Sequence, residues 1–307
     1  MFAYALRRIA GLVPTLFVLV SLSFFIIRLA PGSPFAQEQQ LPPAVLANLE
    51  AAYGLDAPLL TQYGRYVAGV AQGDLGPSFR YKDYRVNELI GTGLPLSLTI
   101  GLVAAVLAFL AGVPLGMYAA WRADTFADHA LMNLSLLGVV LPGFVVGPLL
   151  ALVFGIYWPL FRVAGYEPGD VSYLVLPVIT LALPVGAYVA RLTRGSMQEV
   201  LRSNYIRTAW AKGLPARHVL LKHALRPALI PVVSYLGPAV AFVITGSLVV
   251  ESVFGLPGSG RYLVQGAIDR DYPLVMGMIL VYGVFTLVCN LVADLLYGWL
   301  DPRVRLA

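Results

Sequence analysis

Six stretches of this chain are each long and apolar enough to cross a bilayer as a helix: Ile9–Ile27, Leu94–Ala120, Ala130–Tyr157, Val171–Ala190, Ala228–Val250 and Leu274–Leu296. A hydrocarbon core of about 30 Å takes roughly 20 apolar residues in a helix. Lipid offers no partner to a backbone N–H or C=O, so a lipid-exposed stretch of this kind satisfies those groups within itself as a helix. Only 12% of the 307 residues are charged and 59% are hydrophobic, whereas a soluble globular chain carries roughly 25% charged residues. Mean hydropathy is +0.78. The expected fold class is therefore an all-α membrane protein of six transmembrane helices.

Six spans return both termini to one side, and the basic residues select the side. Residues 191–227 carry Arg191, Arg194, Arg202, Arg207, Lys212, Arg217, Lys222 and Arg226 against one acid, Glu199. Short loops rich in Lys and Arg stay cytoplasmic. Counting outward from that loop puts Arg7, Arg8, the turn Trp121–His129 and the tail with Arg303 and Arg305 on the cytoplasmic side. A multi-pass protein of the bacterial inner membrane with both termini cytoplasmic is expected. The segments Ala30–Gly93, Trp158–Asp170 and Glu251–Pro273 fall outside.

The expected organisation is an N-terminal tail and first span over 1–30, an extracytoplasmic segment over 31–93, and a transmembrane domain over 94–300. A cytoplasmic tail occupies 297–307. Proline and glycine punctuate 31–93 around an amphipathic middle, Pro43–Tyr53, which predicts a small ordered cap rather than a linker. Arg7-Arg8 precedes a long apolar core with no A-x-A site after it, so the first span reads as an uncleaved anchor.

Several functions are argued against by what the chain lacks. Its three lysines, Lys82, Lys212 and Lys222, never follow a glycine, so there is no G-x-x-x-x-G-K-[ST] loop to cradle nucleotide phosphates. G-x-S-x-G and H-E-x-x-H are also missing. The single Cys289 can form no internal disulfide and no cysteine metal site. No catalytic residue, cofactor or metal is expected in this chain. Ion-coupled carriers hold ionisable groups inside their spans, but here Arg28 and Glu251 fall near outer ends and Asp294 near the cytoplasmic end of the last span. Arg303 or a neighbouring subunit could partner Asp294.

The spans contain many helix-perturbing residues: Leu141-Pro142-Gly143 and Gly147-Pro148, Pro177 and Pro184-Val185-Gly186, Pro231, Gly237-Pro238 and Thr245-Gly246-Ser247. At membrane depth these free backbone groups that neighbouring helices or a wet cavity must satisfy. That suits a protein lining a path, with Pro142, Thr245 and Ser247 as candidates. Close packing through small residues is the competing reading for each.

The most informative stretch is Ser203–Pro227. Ser203 or Asn204 can cap a helix through Lys212, Gly213 can end it in the left-handed conformation, and Pro215 suits the first turn of a second helix running to Arg226. Ile206, Ala209, Trp210 and Gly213 fall on one stripe beside a face bearing Arg207 and Lys212. A basic hairpin with an aromatic knob fits anionic lipid, nucleic acid through its likeness to a helix-turn-helix, or a cytosolic protein with an acidic groove. Tethering to a span at each end makes nucleic acid the weakest of the three.

Tyr205-Ile206-Arg207-Thr208-Ala209-Trp210-Ala211-Lys212-Gly213-Leu214-Pro215 resembles the cytoplasmic "EAA" loop of binding-protein-dependent importers in the form used by their peptide branch. Arg207-Thr208-Ala209 stands where the general pattern has Glu-Ala-Ala, and Gly213 keeps the spacing. Pro14-Thr15-Leu16, Arg28-Leu29-Ala30-Pro31-Gly32-Ser33-Pro34, Gly73-Asp74-Leu75-Gly76-Pro77-Ser78-Phe79, Thr193-Arg194-Gly195-Ser196-Met197, Glu251-Ser252-Val253-Phe254-Gly255-Leu256-Pro257-Gly258 and Arg270-Asp271-Tyr272-Pro273 are similar to the membrane subunits of ATP-binding-cassette oligopeptide and dipeptide importers. Pro77-Ser78-Phe79-Arg80-Tyr81-Lys82-Asp83-Tyr84 favours the oligopeptide branch and its B-type subunits.

The resemblance implies a type I importer fold and a heterodimer with a homologous C-type subunit. It also implies two cytosolic ATPase subunits that bind ATP and Mg, an extracytoplasmic peptide-binding protein, and a peptide substrate. Residues Ile206, Arg207, Thr208, Ala209, Trp210, Lys212, Gly213, Leu214, Pro215 and Arg217 would form the loop that docks on an ATPase. The same machine could carry dipeptides, nickel chelates or another small solute. A lipid-binding scaffold is the alternative of another class.

Overall fold

A computed structural model describes residues 2–29 and 42–300. Residues 30–41, with the Ala30-Pro31-Gly32-Ser33-Pro34 motif and the start of the expected cap, and residues 301–307, with Arg303 and Arg305, lie outside the described residues. The described chain is helical, with one isolated antiparallel bridge between Pro77 and Arg85. Its elements are α1 Phe2–Leu29, α2 Pro43–Ala52, α3 Leu59–Ala71, α4 Val86–Trp121, α5 Phe126–Val140, α6 Gly143–Ala151 with a π-helical Leu152–Tyr157, and α7 Ser172–Leu201. After these come α8 Asn204–Ala211, α9 Ala216–His218 with a π-helical Val219–Ala224, α10 Leu225–Phe254, α11 Gly260–Ile268 and α12 Tyr272–Leu300.

The helices outrun the apolar stretches that announce them. α4 begins at Val86 and spans 36 residues, about 54 Å at 1.5 Å per residue, well beyond a hydrocarbon core of about 30 Å. Backbone hydrogen bonding continues into polar sequence because a helix does not need lipid to persist, only no stop signal. Among the described residues, five helices are long and apolar enough to cross a membrane, and α5 with the α6 segment forms a pair bent by 105° that makes a sixth span if counted as one. The bend has a local cause. Leu141 precedes Pro142 and is pushed out of the α region, at φ −74° and ψ 120°, by the proline ring; Gly143 then opens α6.

The chain divides into two compact units. Among the described residues, the first comprises residues 7–29 and 42–96 with Gly258–Phe285. Its core is aromatic: Phe24, Tyr272 and Met276 are buried, with Phe25, Ile27, Tyr63, Tyr66 and Phe79 packed around them. Phe24 lies 5.4 Å from the Tyr63 ring and 5.7 Å from that of Tyr66, and Ser21 shares a hydrogen bond of 2.6 Å with the Tyr63 hydroxyl. The amphipathic middle expected at Pro43–Tyr53 is the helix α2, and α3 is a second helix after it. α3 therefore sits on α1 through rings that carry large apolar area at low entropic cost.

Among the described residues, the second unit comprises residues 2–6, Ser97–Pro257 and residues 286–300. α7 is its hub, packed against α5, α6 and α10, and buries Leu176, Leu181, Val185 and Val189. α4 approaches α7 at Gly112, where a β-carbon would fall 2.6 Å from the Gly186 carbonyl oxygen and 2.9 Å from Val189. Without hydrophobic drive between helices in lipid, such small-residue contacts let backbones close up and supply the packing energy. Pro177 and Pro184 lie inside α7, and Pro231 and Pro238 inside α10, without ending either helix.

Candidate coupling site

Between α7 and α10 the chain leaves the bundle as a short hairpin. Ser203 takes the N-cap position of α8 with extended backbone, but its hydroxyl does not cap; it turns back to donate to the Val200 carbonyl at 2.6 Å. α8 closes at Ala211, with Lys212 as the capping residue and Gly213 at φ +73°. The Lys212 N–H donates to Thr208 O at 3.1 Å and the Gly213 N–H to Trp210 O at 2.9 Å. Glycine is needed at 213 for that positive φ, since an L side chain pays roughly 1–2 kcal/mol there. No neighbour crowds the position.

Pro215 precedes the second arm rather than entering its first turn: it is the cap of α9, accepting the His218 N–H at 2.9 Å. The second arm does not stop before Pro227 as the sequence suggests. Ala216–Phe254 is one continuous helical run, passing through the π-helical Val219–Ala224 into α10. Pro227 is the third residue of α10, which follows directly on the π-helical Val219–Ala224, whose wider turn leaves room for the ring. The hairpin is thus continuous with α10.

The apolar stripe expected on α8 divides by function. Ile206 is 0% and Ala209 7% exposed, both in a cluster with Ala120, Met197, Val219, Leu220, Ala224 and Ala228. Burying Ile206 is worth about 1.5–3 kcal/mol, which anchors the helix to the bundle. Trp210, by contrast, is 43% and Tyr205 49% exposed. Arg207, Thr208, Lys212, Gly213, Pro215 and Arg217 are exposed as well, and Leu214 is half-buried. An inward face fixes the element while an outward face of aromatic and basic groups is left to meet something else.

Beside the hairpin lies an ion pair that sequence reading did not assemble. Asp128, fully buried in the first turn of α5, receives the Arg194 Nε and Nη2 hydrogens at 2.5 Å each, and the Asp124 N–H at 3.0 Å. Two parallel bonds between a planar fork and a carboxylate fix orientation as well as charge. The pair rivets the start of α5 to α7, seven residues before α7 ends at Leu201. Sequence holds Arg194 within a recognisable motif, but nothing in it says that Asp128 lies opposite.

The path candidates are scattered. Pro142 sits at the α5/α6 break. The Thr245 hydroxyl donates back to Ala241 O at 2.9 Å and the residue is exposed on α10. Ser247 is fully buried and donates to Glu251 Oε1 at 2.7 Å, a polar pair within α10 rather than a wet surface. Glu251, expected as an interface or helix-end charge, is 1% exposed.

A bundle of membrane-length helices with a broken third span and a rigid basic hairpin defines a membrane subunit of a transport system. The chain belongs to a family: residues 112–306 match the model for binding-protein-dependent transport system inner membrane component, and residues 1–98 match the N-terminal model of the same systems. It is 48% identical over 305 residues, covering 99% of this chain and 100% of the other, to the oligopeptide transport system permease protein OppB of Escherichia coli strain K12. It is 42% identical over 303 residues to the dipeptide transport system permease protein DppB of Bacillus subtilis strain 168, covering 99% and 98%. A crystal structure of an amino acid ABC transporter with histidines shares the fold at a TM-score of 0.50 and 19% identity, covering 69% of this chain and 94% of that one. The fold is the type I ABC importer fold.

Proposed function

We propose that this chain is the membrane-spanning subunit of an ATP-binding-cassette importer that carries oligopeptides across the bacterial inner membrane. The observation that carries the reading is identity of 48% sustained over essentially the full length of an oligopeptide permease, from the cap through the hairpin. Energy comes from ATP and Mg bound in partner subunits. A homologous second permease subunit completes the path, two cytosolic ATPase subunits drive it, and an extracytoplasmic binding protein delivers peptide. Both termini and the α8–α9 hairpin face the cytoplasm, and the cap faces out.

In this reading α8 seats Trp210, Arg207 and Lys212 in an acidic groove of an ATPase subunit. The buried Ile206–Ala209 face and the unbroken run from α9 into α10 make the hairpin move with the helix rather than absorb the motion. ATP-driven closure of the ATPase pair is then passed to the spans as rigid-body rotation. Dipeptide carriage is the second reading, favoured by the 42% identity to a dipeptide permease. Single cysteines at Tyr205 and Lys212, tested for disulfide capture of the ATPase subunit in membranes, check the docking: cross-links at both that loosen with ATP are expected, and labelling only by lipid-phase reagents would contradict it.

A further inference from the structure

Where α1 ends, the first unit holds an open cavity of about 210 Å³ whose lining includes Arg28, Arg65, Gln62 and Tyr66. The Arg28 guanidinium carbon sits over the Phe24 ring at 5.6 Å and the Tyr272 ring at 5.5 Å. Its Nε is closed off from solvent and has no hydrogen-bond acceptor. Among the described residues no carboxylate pairs with either arginine, because the acid of this cavity, Asp74, is engaged by Arg85. Holding the Arg28 Nε–H out of water costs free energy unless an acceptor meets it.

Two further groups are short of partners. The Gln62 amide donates both its hydrogens, to Leu55 O at 2.9 Å and Ala57 O at 2.8 Å, which fixes its orientation and leaves Oε1 without a donor. The buried Tyr66 hydroxyl also has no partner. Burial pushes Tyr66 up to about 12, so it remains a neutral hydroxyl able to donate. One cavity thus combines guanidinium and phenol donors with one unmet amide acceptor.

We propose that this cavity binds an N-acylated α-amino acid, free or as the last residue of a peptide. Its carboxylate meets Arg28 and Tyr66, and its amide N–H meets Gln62. Because the rings lie against the guanidinium, a partner enters in its plane, where the two oxygens of a carboxylate match the fork. The aromatic walls, Phe24 and Phe79 among them, suit an apolar side chain. The site is independent of the transport reading, since binding is read on the chain by itself.

The test is calorimetric titration of the full chain in phosphatidylcholine nanodiscs with N-acetyl-phenylalanine, N-acetyl-phenylalaninamide, and a tetra-alanyl-phenylalanine peptide. The acid is expected to bind and its neutral amide to bind at least tenfold more weakly, with Arg28→Gln weakening the acid at least tenfold and Tyr66→Phe about threefold. Binding of the peptide as well assigns the site to peptide termini; binding of the small acid alone assigns it to free acyl amino acids. Arg28→Lys keeps the charge without the fork and should fall between wild type and Arg28→Gln, provided all variants melt as wild type does. Equal affinity for acid and amide, indifference to Arg28→Gln, no heat with any probe, or loss of acid binding when phosphatidylglycerol is included would overturn the proposal.

Discussion

The Ser78 hydroxyl donates to the Asp271 carboxylate across 193 residues of sequence, and neither side chain is more than 2% exposed. Asp271 also accepts the Phe79 N–H at 3.1 Å, the Arg80 N–H at 3.2 Å and the Leu274 N–H at 3.3 Å. Ser78 in turn accepts the Arg80 and Tyr81 N–H groups at 3.2 and 2.9 Å. One acid therefore closes the turn before α4 onto the start of α12. The motifs Pro77-Ser78-Phe79 and Arg270-Asp271-Tyr272 are two halves of one knot.

Replacing Asp271 with Ala strands several buried donors, each worth about 1–3 kcal/mol when left unmet. The expected outcome is a loss of about 3 kcal/mol or more in the stability of the first unit, seen as earlier proteolysis and accelerated amide exchange over α2 and α3. Ser78→Ala removes one branch of the knot and should cost about 1–2 kcal/mol.

Asp128→Ala leaves the Arg194 guanidinium, 24% exposed, without its carboxylate. Breaking a buried pair costs about 3–5 kcal/mol, and partial exposure of Arg194 places this case nearer the low end. The double variant Asp128→Asn/Arg194→Gln should be less damaged than the sum of the single changes. Melting of the four proteins, read as a mutant cycle, checks the coupling.

Asp74 and Arg85 form an exposed pair between α3 and α4. The Arg85 hydrogen bond, then the Gly76 N–H, holds the Asp74 carboxyl below its usual range. With the folded value depressed, the contribution is present above the unfolded value of about 3.9 and is lost as pH falls through the lower folded value. The stability of the first unit should thus decline on acidification below about pH 4, and Arg85→Gln should shrink that decline. The effect is small because the pair is solvated. NMR titration of the Asp74 carboxyl should show it moving upward in the variant.

Trp210→Ala and Ile206→Ala separate docking from folding. Ile206 is buried, so its truncation should destabilise by about 2–5 kcal/mol. Trp210 is 43% exposed, so its loss should leave melting within about 1 kcal/mol while reducing ATPase co-purification. If the hairpin met lipid instead, Arg207→Gln and Lys212→Gln would matter and Trp210→Ala and Gly213→Ala would not.

Much of this was legible before any coordinates, for physical reasons. Membrane length and apolarity leave helix as the main option, so the spans announce themselves, and Leu141-Pro142-Gly143 marked the position where the third span breaks by 105°. Gly213 was readable as a left-handed terminator because that conformation is cheap only for glycine. What stayed hidden depended on contacts remote in sequence or on helices lacking a stop. Nothing local pairs Asp128 with Arg194, or Ser78 with Asp271. α3, whose pattern Leu59-Leu60-Thr61-Gln62-Tyr63 mixes apolar and polar residues, is a helix because Tyr63 and Tyr66 find Phe24. Pro227 looked like a terminator because a proline usually is one, yet a preceding π turn removes the clash.

If the proposed function holds, the hairpin on α10 couples ATP hydrolysis in partner subunits to peptide movement through this chain. The most direct measurement is ATP-dependent uptake of a labelled tri- to pentapeptide into proteoliposomes holding the chain with its partner subunits, compared between wild type and Gly213→Asp. Saturable uptake by wild type is expected, with loss of both uptake and ATPase association in the variant while the membrane subunits stay assembled. Robust ATP hydrolysis by wild type without peptide uptake, or full uptake by Gly213→Asp, would contradict it.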